Sequence, residues 1–296
     1  MNLKYMILGA GGTGGILGSA LTKAGKDVTF IARGSNLDAM RNNGLIIRHL
    51  WDQTEEHLEV RALSMEESCA LSLDSVLPFI RQTAGPRTII IPILNIYGTG
   101  ARVQKELPDC TVLDGCIYVS ASLEHPGVLV QHGPILRVVF GSRNPSYISP
   151  ILSAIQSDLC ESGIDGVLST HIQRDALEKF SYVSPIGAAG VYLHAVAGDF
   201  QKEGAARELF KSMIREISTL AAAMGYPFEK DYVKINLEIL SNLSADATTS
   251  MQRDIMEGKP SELDGLVMEP LRLAKKYSVS MPCYEEVAIA LSPLEY

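Results

Sequence analysis

Gly9-Ala10-Gly11-Gly12-Thr13-Gly14 has the spacing G-x-G-x-x-G, which serves the capture of a pyrophosphate by the main chain. The first glycine permits a sharp turn, the second lets the backbone approach phosphate, and the third lets a helix pack closely on a strand. Free N–H groups at the helix start then receive the anion. Glycine-rich turns imitate this pattern, so its context carries the reading. Apolar Tyr5-Met6-Ile7-Leu8 precedes it, a helical stretch from Thr13 to Ala24 follows, and after Gly25 comes Val28-Thr29-Phe30-Ile31-Ala32. Gly15 continues the cluster and eases packing. An acid that would hold a ribose 2′-hydroxyl is expected at the end of the second strand, but Arg33 stands there. A guanidinium binds a 2′-phosphate through forked, charge-assisted hydrogen bonds, and Gly34-Ser35-Asn36 offers further donors. NADP(H) is therefore the expected cofactor, against the alternative of an arginine that merely ends a strand in a surface loop.

The elements that must position this loop read as strand, turn, helix and strand, which is a βαβ crossover and predicts a doubly wound parallel sheet. Thr88-Ile89-Ile90-Ile91-Pro92-Ile93-Leu94 is a nearly continuous apolar run and predicts a buried strand of the same sheet. From Thr111 to Ser142, β-rich segments separated by His125-Pro126-Gly127 and His132-Gly133-Pro134 predict hairpins completing it. Beyond Ser149 helical patterns dominate: Pro150 to Cys160, Gln173 to Ala197, Glu203 to Met224, Tyr232 to Asn242 and Glu262 to Tyr277. The expected class is α/β: a Rossmann-type domain over residues 1–167, followed by an all-helical domain over 168–296 for substrate binding and dimerisation. Gly163-Ile164-Asp165-Gly166 marks the change.

The chain has 296 residues, 46% hydrophobic and 20% charged, enough to close sizeable cores, which excludes disorder and coiled coil. Twenty-six basic against 34 acidic residues leave a net charge of −8 and no basic block for a phosphate backbone, so nucleic acid is not the expected partner. Five cysteines are scattered without a C-x-x-C pair, which predicts a reducing compartment and no structural metal. With no signal-like start and no apolar run of about 18 residues, a cytoplasmic protein away from membranes is expected.

Several segments together resemble the ketopantoate reductase family over nearly the whole chain: Gly9 to Gly14 with Arg33, Asn95-Ile96-Tyr97-Gly98, and Ser120 to Gly127. Leu177-Glu178-Lys179-Phe180, Ser250-Met251-Gln252-Arg253-Asp254 and Ser261-Glu262-Leu263-Asp264, with Pro282 near the end, extend it. The resemblance implies an NADPH-dependent reductase of 2-dehydropantoate, a 2-oxo acid, acting in pantothenate synthesis as a homodimer. It places the family's reacting lysine at Lys179. Hydride delivery to a ketone builds charge on the carbonyl oxygen, which an ammonium both stabilises and protonates. Glu262 corresponds to an acid that contacts substrate and holds the lysine; taken alone, it would be a first-turn acid behind an N-cap at Ser261. Ser250 corresponds to a serine binding the substrate carboxylate, or else caps a helix. Asn95 would supply amide hydrogen bonds near nicotinamide and substrate, unless it is an ordinary turn residue.

Three departures qualify the resemblance. Val183 stands where the family has an asparagine touching substrate. Val267-Met268 replaces an Asn-Gly pair on a helix expected to line the cleft between the domains. Losing two amides could retune the pocket towards another 2-oxo acid. Between Arg61 and Pro86 the family's apolar strand and its lysine near the cofactor are not evident, and the expectation is that the sequence lacks residues near positions 64 to 70. The expected reading is catalysis by Lys179 and Glu262, with NADPH on Gly9, Ala10, Gly11, Gly12, Thr13, Gly14, Arg33 and Asn95. Asn95, Ser250 and Glu262 would bind the substrate. The rivals are the same chemistry on another 2-oxo acid and a non-catalytic NADP(H)-sensing protein.

Overall fold

In the computed structural model, residues 2–64, 73–147 and 149–292 are described. The chain forms two compact units, Met1–Ile93 with Gly100–Thr170 and Leu94–Thr99 with His171–Tyr296. Leu94–Thr99, assigned from sequence to the first domain, therefore clusters with the helical half. The segment near 64 to 70 in which missing residues were expected falls at 65–72, outside the described residues, apart from Ser64.

The first unit begins β1 (Lys4–Leu8), α1 (Gly12–Lys23), β2 (Asp27–Ala32), α2 (Gly34–Asn43), β3 (Leu45–His49), β4 (Thr54–Leu58) and β5 (Arg61–Ser64). It continues α3 (Leu73–Thr83), β6 (Ile89–Ile90), α4 (Thr99–Glu106), β7 (Thr111–Val112), β8 (Asp114–His125), β9 (Val128–Gly141), α5 (Pro150–Glu161) and β10 (Asp165–Leu168). Strands β1, β2 and β5 pair in parallel, from Lys4↔Asp27 and Thr29↔Arg61 onward, as a Rossmann-type crossover requires. A second, mixed sheet is built on the antiparallel β8–β9 hairpin, with β3 and β10 parallel to β9 and β4 antiparallel to β3. Helix α1 packs closely against both. A Cβ on Gly18 would stand 2.3 Å from the Phe30 ring, and one on Gly15 would stand 2.6 Å from Leu129. Phe30, Leu129, Leu45 and Phe140 are fully buried around it.

One strand expectation is corrected. Among the described residues, Thr88–Leu94 forms a ladder only at Ile89 and Ile90, parallel to Thr111 and Val112. Pro92 has no N–H to continue a ladder, and the side chains of Ile91 and Ile93 instead pack over Gly115.

The second unit contains α6 (Ile172–Leu193), α7 (Ala197–Gln201), α8 (Ala205–Ala223), α9 (Tyr232–Ser241), α10 (Ser250–Met256), a π-turn over Asp264–Met268, α11 (Glu269–Tyr277) and α12 (Pro282–Leu291). In α8, Phe210, Met213, Ile214, Ile217 and Leu220 recur at helical spacing and are all fully buried, forming the apolar stripe of the core. Pro185 lies inside α6 and cannot donate to the carbonyl of Ser181. The amide of Asn236, from α9, donates there instead at 3.0 Å. Helix α12 starts at Pro282 with no cap of its own; the Glu216 carboxylate of α8 accepts the N–H groups of Cys283 and Tyr284 at 2.8 and 3.1 Å. That is an N-cap supplied by a neighbouring helix, favoured further by the helix dipole. Among the described residues, no helix is long and apolar enough to cross a membrane.

Candidate active site

In the first unit the glycine loop joins β1 to α1. Gly9 has φ +99°, a conformation that favours glycine, and its N–H donates to Ile31 O at 3.1 Å, tying the loop to the end of β2. A Cβ on Gly14 would lie 2.1 Å from Gly9 O, and one on Gly12 would lie 2.6 Å from Ala121 O of β8. Both positions therefore exclude side chains. Beside Gly11, by contrast, the space where a Cβ would stand is open, and no side chain caps α1 there. Exposed Thr13 follows in the first turn. An open, uncapped helix start behind a tight glycine turn fits a dinucleotide pyrophosphate.

Arg33 follows β2 directly, as the N-cap residue of α2, two residues from the carbonyl that accepts the Gly9 N–H. Asn36 was expected among the donors to a 2′-phosphate, but its amide is engaged elsewhere. It donates to the carbonyl of buried Ala10 at 3.0 Å and accepts the Gly127 N–H at 2.8 Å. Asn36 thus holds the loop to the turn between β8 and β9.

In the second unit, Lys179, Asn95 and Glu262 come together from three segments. Lys179 Nζ donates to Asn95 Oδ1 at 2.9 Å, and Asn95 Nδ2 donates to Glu262 Oε2 at 3.2 Å. One amide, oriented by its two neighbours, therefore spaces an ammonium from a carboxylate. Leu177 and Phe180 are buried on either side of half-buried Lys179, so the ammonium is displayed from a rigid turn. Burial pushes the Glu262 carboxyl above the usual carboxylate range and the charge of Asp254 pushes the same way, against the pull of the Asn95 hydrogen bonds and the Lys179 charge. Gly265 explains how the segments approach: a Cβ there would lie 2.4 Å from Ile96, so a side chain would force the π-turn away from the residue after Asn95.

Other expected residues are placed differently. Ser250 is exposed in the first turn of α10. The cap of that helix is Thr249, whose hydroxyl accepts the Gln252 N–H at 3.2 Å while Gln252 Oε1 accepts the Thr249 N–H at 2.9 Å. That frees the Ser250 position from the capping role considered for it. Ser261 caps no helix, because the helical path starts later and opens with the π-turn. Val267, expected to line a cleft, is 0% exposed in the helical core, and Val183 packs partly buried against the same core. Val267 thus fills core volume.

Sequence reasoning gave Asn36 a different role and missed Asn236, Ser184 and Tyr284, polar side chains that hold this framework. Pro185 was the available signal for Asn236 and Pro270 for Ser184, because a proline in a helix implies an orphaned carbonyl four residues earlier.

Residues 5–145 match the family described as Ketopantoate reductase PanE/ApbA, and residues 171–295 match its C-terminal counterpart. An uncharacterized oxidoreductase of Bacillus subtilis, YkpB, is 25% identical over 99% of both chains. The 2-dehydropantoate 2-reductase of a Nostoc species is 23% identical, over 94% of this chain and 91% of its own. Among solved structures, 2-dehydropantoate 2-reductase from Methylococcus capsulatus shares the fold with a TM-score of 0.84 at 22% identity, covering 99% of this chain and 96% of its own. D-mandelate dehydrogenase, solved with NADH and anilino(oxo)acetate, does so with a TM-score of 0.86 at 19% identity, covering 99% and 98%. With family matches across both halves, the chain belongs to the ketopantoate reductase family of NADP-dependent oxidoreductases.

Proposed function

We propose that this protein reduces 2-dehydropantoate to pantoate with NADPH. The observation that carries the reading is the Lys179–Asn95–Glu262 arrangement, an ammonium held at 2.9 Å by an amide that also holds a carboxylate. Bound NADPH supplies the hydride that the C2 carbonyl carbon accepts. Lys179 stabilises the charge developing on the carbonyl oxygen and gives it a proton, which completes the alcohol. Asn95 fixes the direction of the ammonium, and Glu262 fixes Asn95. Ser250, exposed at the start of α10, binds the substrate carboxylate with its hydroxyl. Gly9 to Gly14 hold the pyrophosphate, and Arg33 binds the 2′-phosphate. Relatives named 2-dehydropantoate 2-reductase support this substrate; a place in pantothenate synthesis and a cytoplasmic homodimer are parts of the same proposal.

A second reading, reduction of a different 2-oxo acid, is favoured by Val183 in place of a polar side chain and by the fold shared with D-mandelate dehydrogenase. Turnover of a panel of 2-oxo acids, followed by loss of NADPH or NADH absorbance, separates the two. Preference for 2-dehydropantoate with NADPH supports the first reading, and preference for another acid supports the second. Cofactor binding without turnover of any acid would overturn both and leave a nucleotide-sensing protein.

A further inference from the structure

Ser184 and Tyr284 form a hydroxyl pair sealed inside the helical unit; both residues are 0% exposed. Ser184 Oγ donates to the carbonyl of Leu266 at 2.5 Å and lies 2.5 Å from the Tyr284 hydroxyl. A serine hydroxyl has one proton. With that proton on Leu266 O, Tyr284 must be the donor to Ser184, and the chain of bonds runs Tyr284 to Ser184 to Leu266.

The acceptor explains why a side chain is needed. Leu266 lies in the π-turn, and four residues on stands Pro270, which has no N–H to offer in the α-helical pattern. Ser184 fills that place. The N–H of the same Leu266 donates to Glu262 O at 2.9 Å, so the peptide units that hold Glu262 are fixed through Leu266. Ser184 lies on α6 five residues beyond Lys179. One buried hydroxyl therefore ties the helix carrying Lys179 to the turn carrying Glu262.

We infer that Ser184, oriented by Tyr284, is a positioning residue that sets the Glu262 carboxylate against Asn95 and Lys179 for proton transfer to the substrate. This rests on the reduction proposed above. Ser184 touches neither substrate nor cofactor in this account and acts only through the π-turn.

The test compares Ser184→Ala with Ser184→Ala/Tyr284→Phe. The single variant strands two buried polar atoms, Leu266 O and the Tyr284 hydroxyl, whereas the double variant strands only the carbonyl. Part of the stability lost in the single variant therefore returns in the double. Turnover should not return with it: kcat should stay roughly ten- to hundredfold below wild type in both, the scale of a misplaced catalytic group, with KM for NADPH unchanged. In ¹³C-glutamate-labelled protein, the Glu262 signal, assigned by its loss in Glu262→Gln, should titrate at a displaced pH in both variants. Among the described residues, the charged and polar groups acting on that carboxyl are Asn95, Lys179 and Asp254, and all three are retained. A kcat that recovers in step with stability, or a wild-type Glu262 titration in the double variant, would overturn the inference. Should the wild type turn over no 2-oxo acid, the reductase reading fails and the carboxyl titration still decides the positioning.

Discussion

The Asn236 side chain of α9 donates to the main-chain carbonyl of Ser181 on α6 at 3.0 Å, inside the core, where Asn236 is 1% exposed. Pro185 removes that carbonyl's ordinary donor, and the asparagine restores one. Asn236→Ala should therefore lower unfolding free energy by about 1–3 kcal/mol, the usual cost of a stranded buried acceptor. In a Pro185→Ala background the helix has its own N–H for Ser181, so the cost of Asn236→Ala should shrink. Denaturant unfolding of the four proteins measures the coupling, and equal costs in both backgrounds would refute it.

Lys179→Ala should reduce turnover by about a hundredfold or more, the range for a lost general acid, while the Kd for NADPH, read by fluorescence titration, stays at the wild-type value. Undiminished turnover would remove Lys179 from the mechanism.

Arg33→Ala should raise the KM for NADPH by roughly ten- to hundredfold, the worth of one or two hydrogen bonds to a charged phosphate. Its effect on NADH, which lacks the 2′-phosphate, should be small. Steady-state kinetics with both cofactors measures the ratio, and a parallel loss with both would mean that Arg33 supports the fold of the loop.

Glu262 carries a carboxyl raised by burial, so the sign of its linkage is opposite to that of an ion-paired acid. Below the ordinary carboxylate pKa both the folded and the unfolded chain hold the proton. As pH rises through that value the unfolded chain loses the proton first, and stability falls until the folded pKa is passed. Glu262→Gln cannot lose a proton, so its stability relative to wild type should increase as pH rises above the ordinary carboxylate range of about 4, and level off once the folded Glu262 has ionised. A pH-independent difference in urea midpoints would show that the folded carboxyl is unshifted.

Gly265→Ala would place a methyl 2.4 Å from Ile96. Overpacking of this kind typically costs about 1–3 kcal/mol, and relief by moving the Asn95 segment should lower kcat more than it lowers melting temperature alone would explain. The companion variant Gly265→Ala/Ile96→Ala, which opens the space, should recover turnover.

Much of this architecture is written locally in the chain. The strand, turn and helix around Gly9–Gly14 lie within 32 residues, and α8 announces its buried face by spacing alone. What stayed illegible depends on distant partners. Gly12 looks like one more turn glycine, yet its constraint is Ala121 on β8, more than a hundred residues away. The apolar run at Thr88–Leu94 promised a full strand, and Pro92 prevents one. Val267 reads as a change at a pocket, and its complete burial in the helical core becomes visible only in the fold. Lys179 was placed by resemblance, since a lysine on an amphipathic helix is ordinarily solvated; the Asn95 amide that holds it comes from a segment 84 residues away.

Because proline gaps in two places are closed by side chains borrowed from other helices, no helix of that set can fray without exposing an acceptor in its neighbour. Release of α9 uncovers Ser181, and release of α6 uncovers Leu266. Amide protons in α6, α9 and the segment around Leu266 should thus exchange with deuterium at one shared rate, as a single opening unit, in place of a gradient of independent local events.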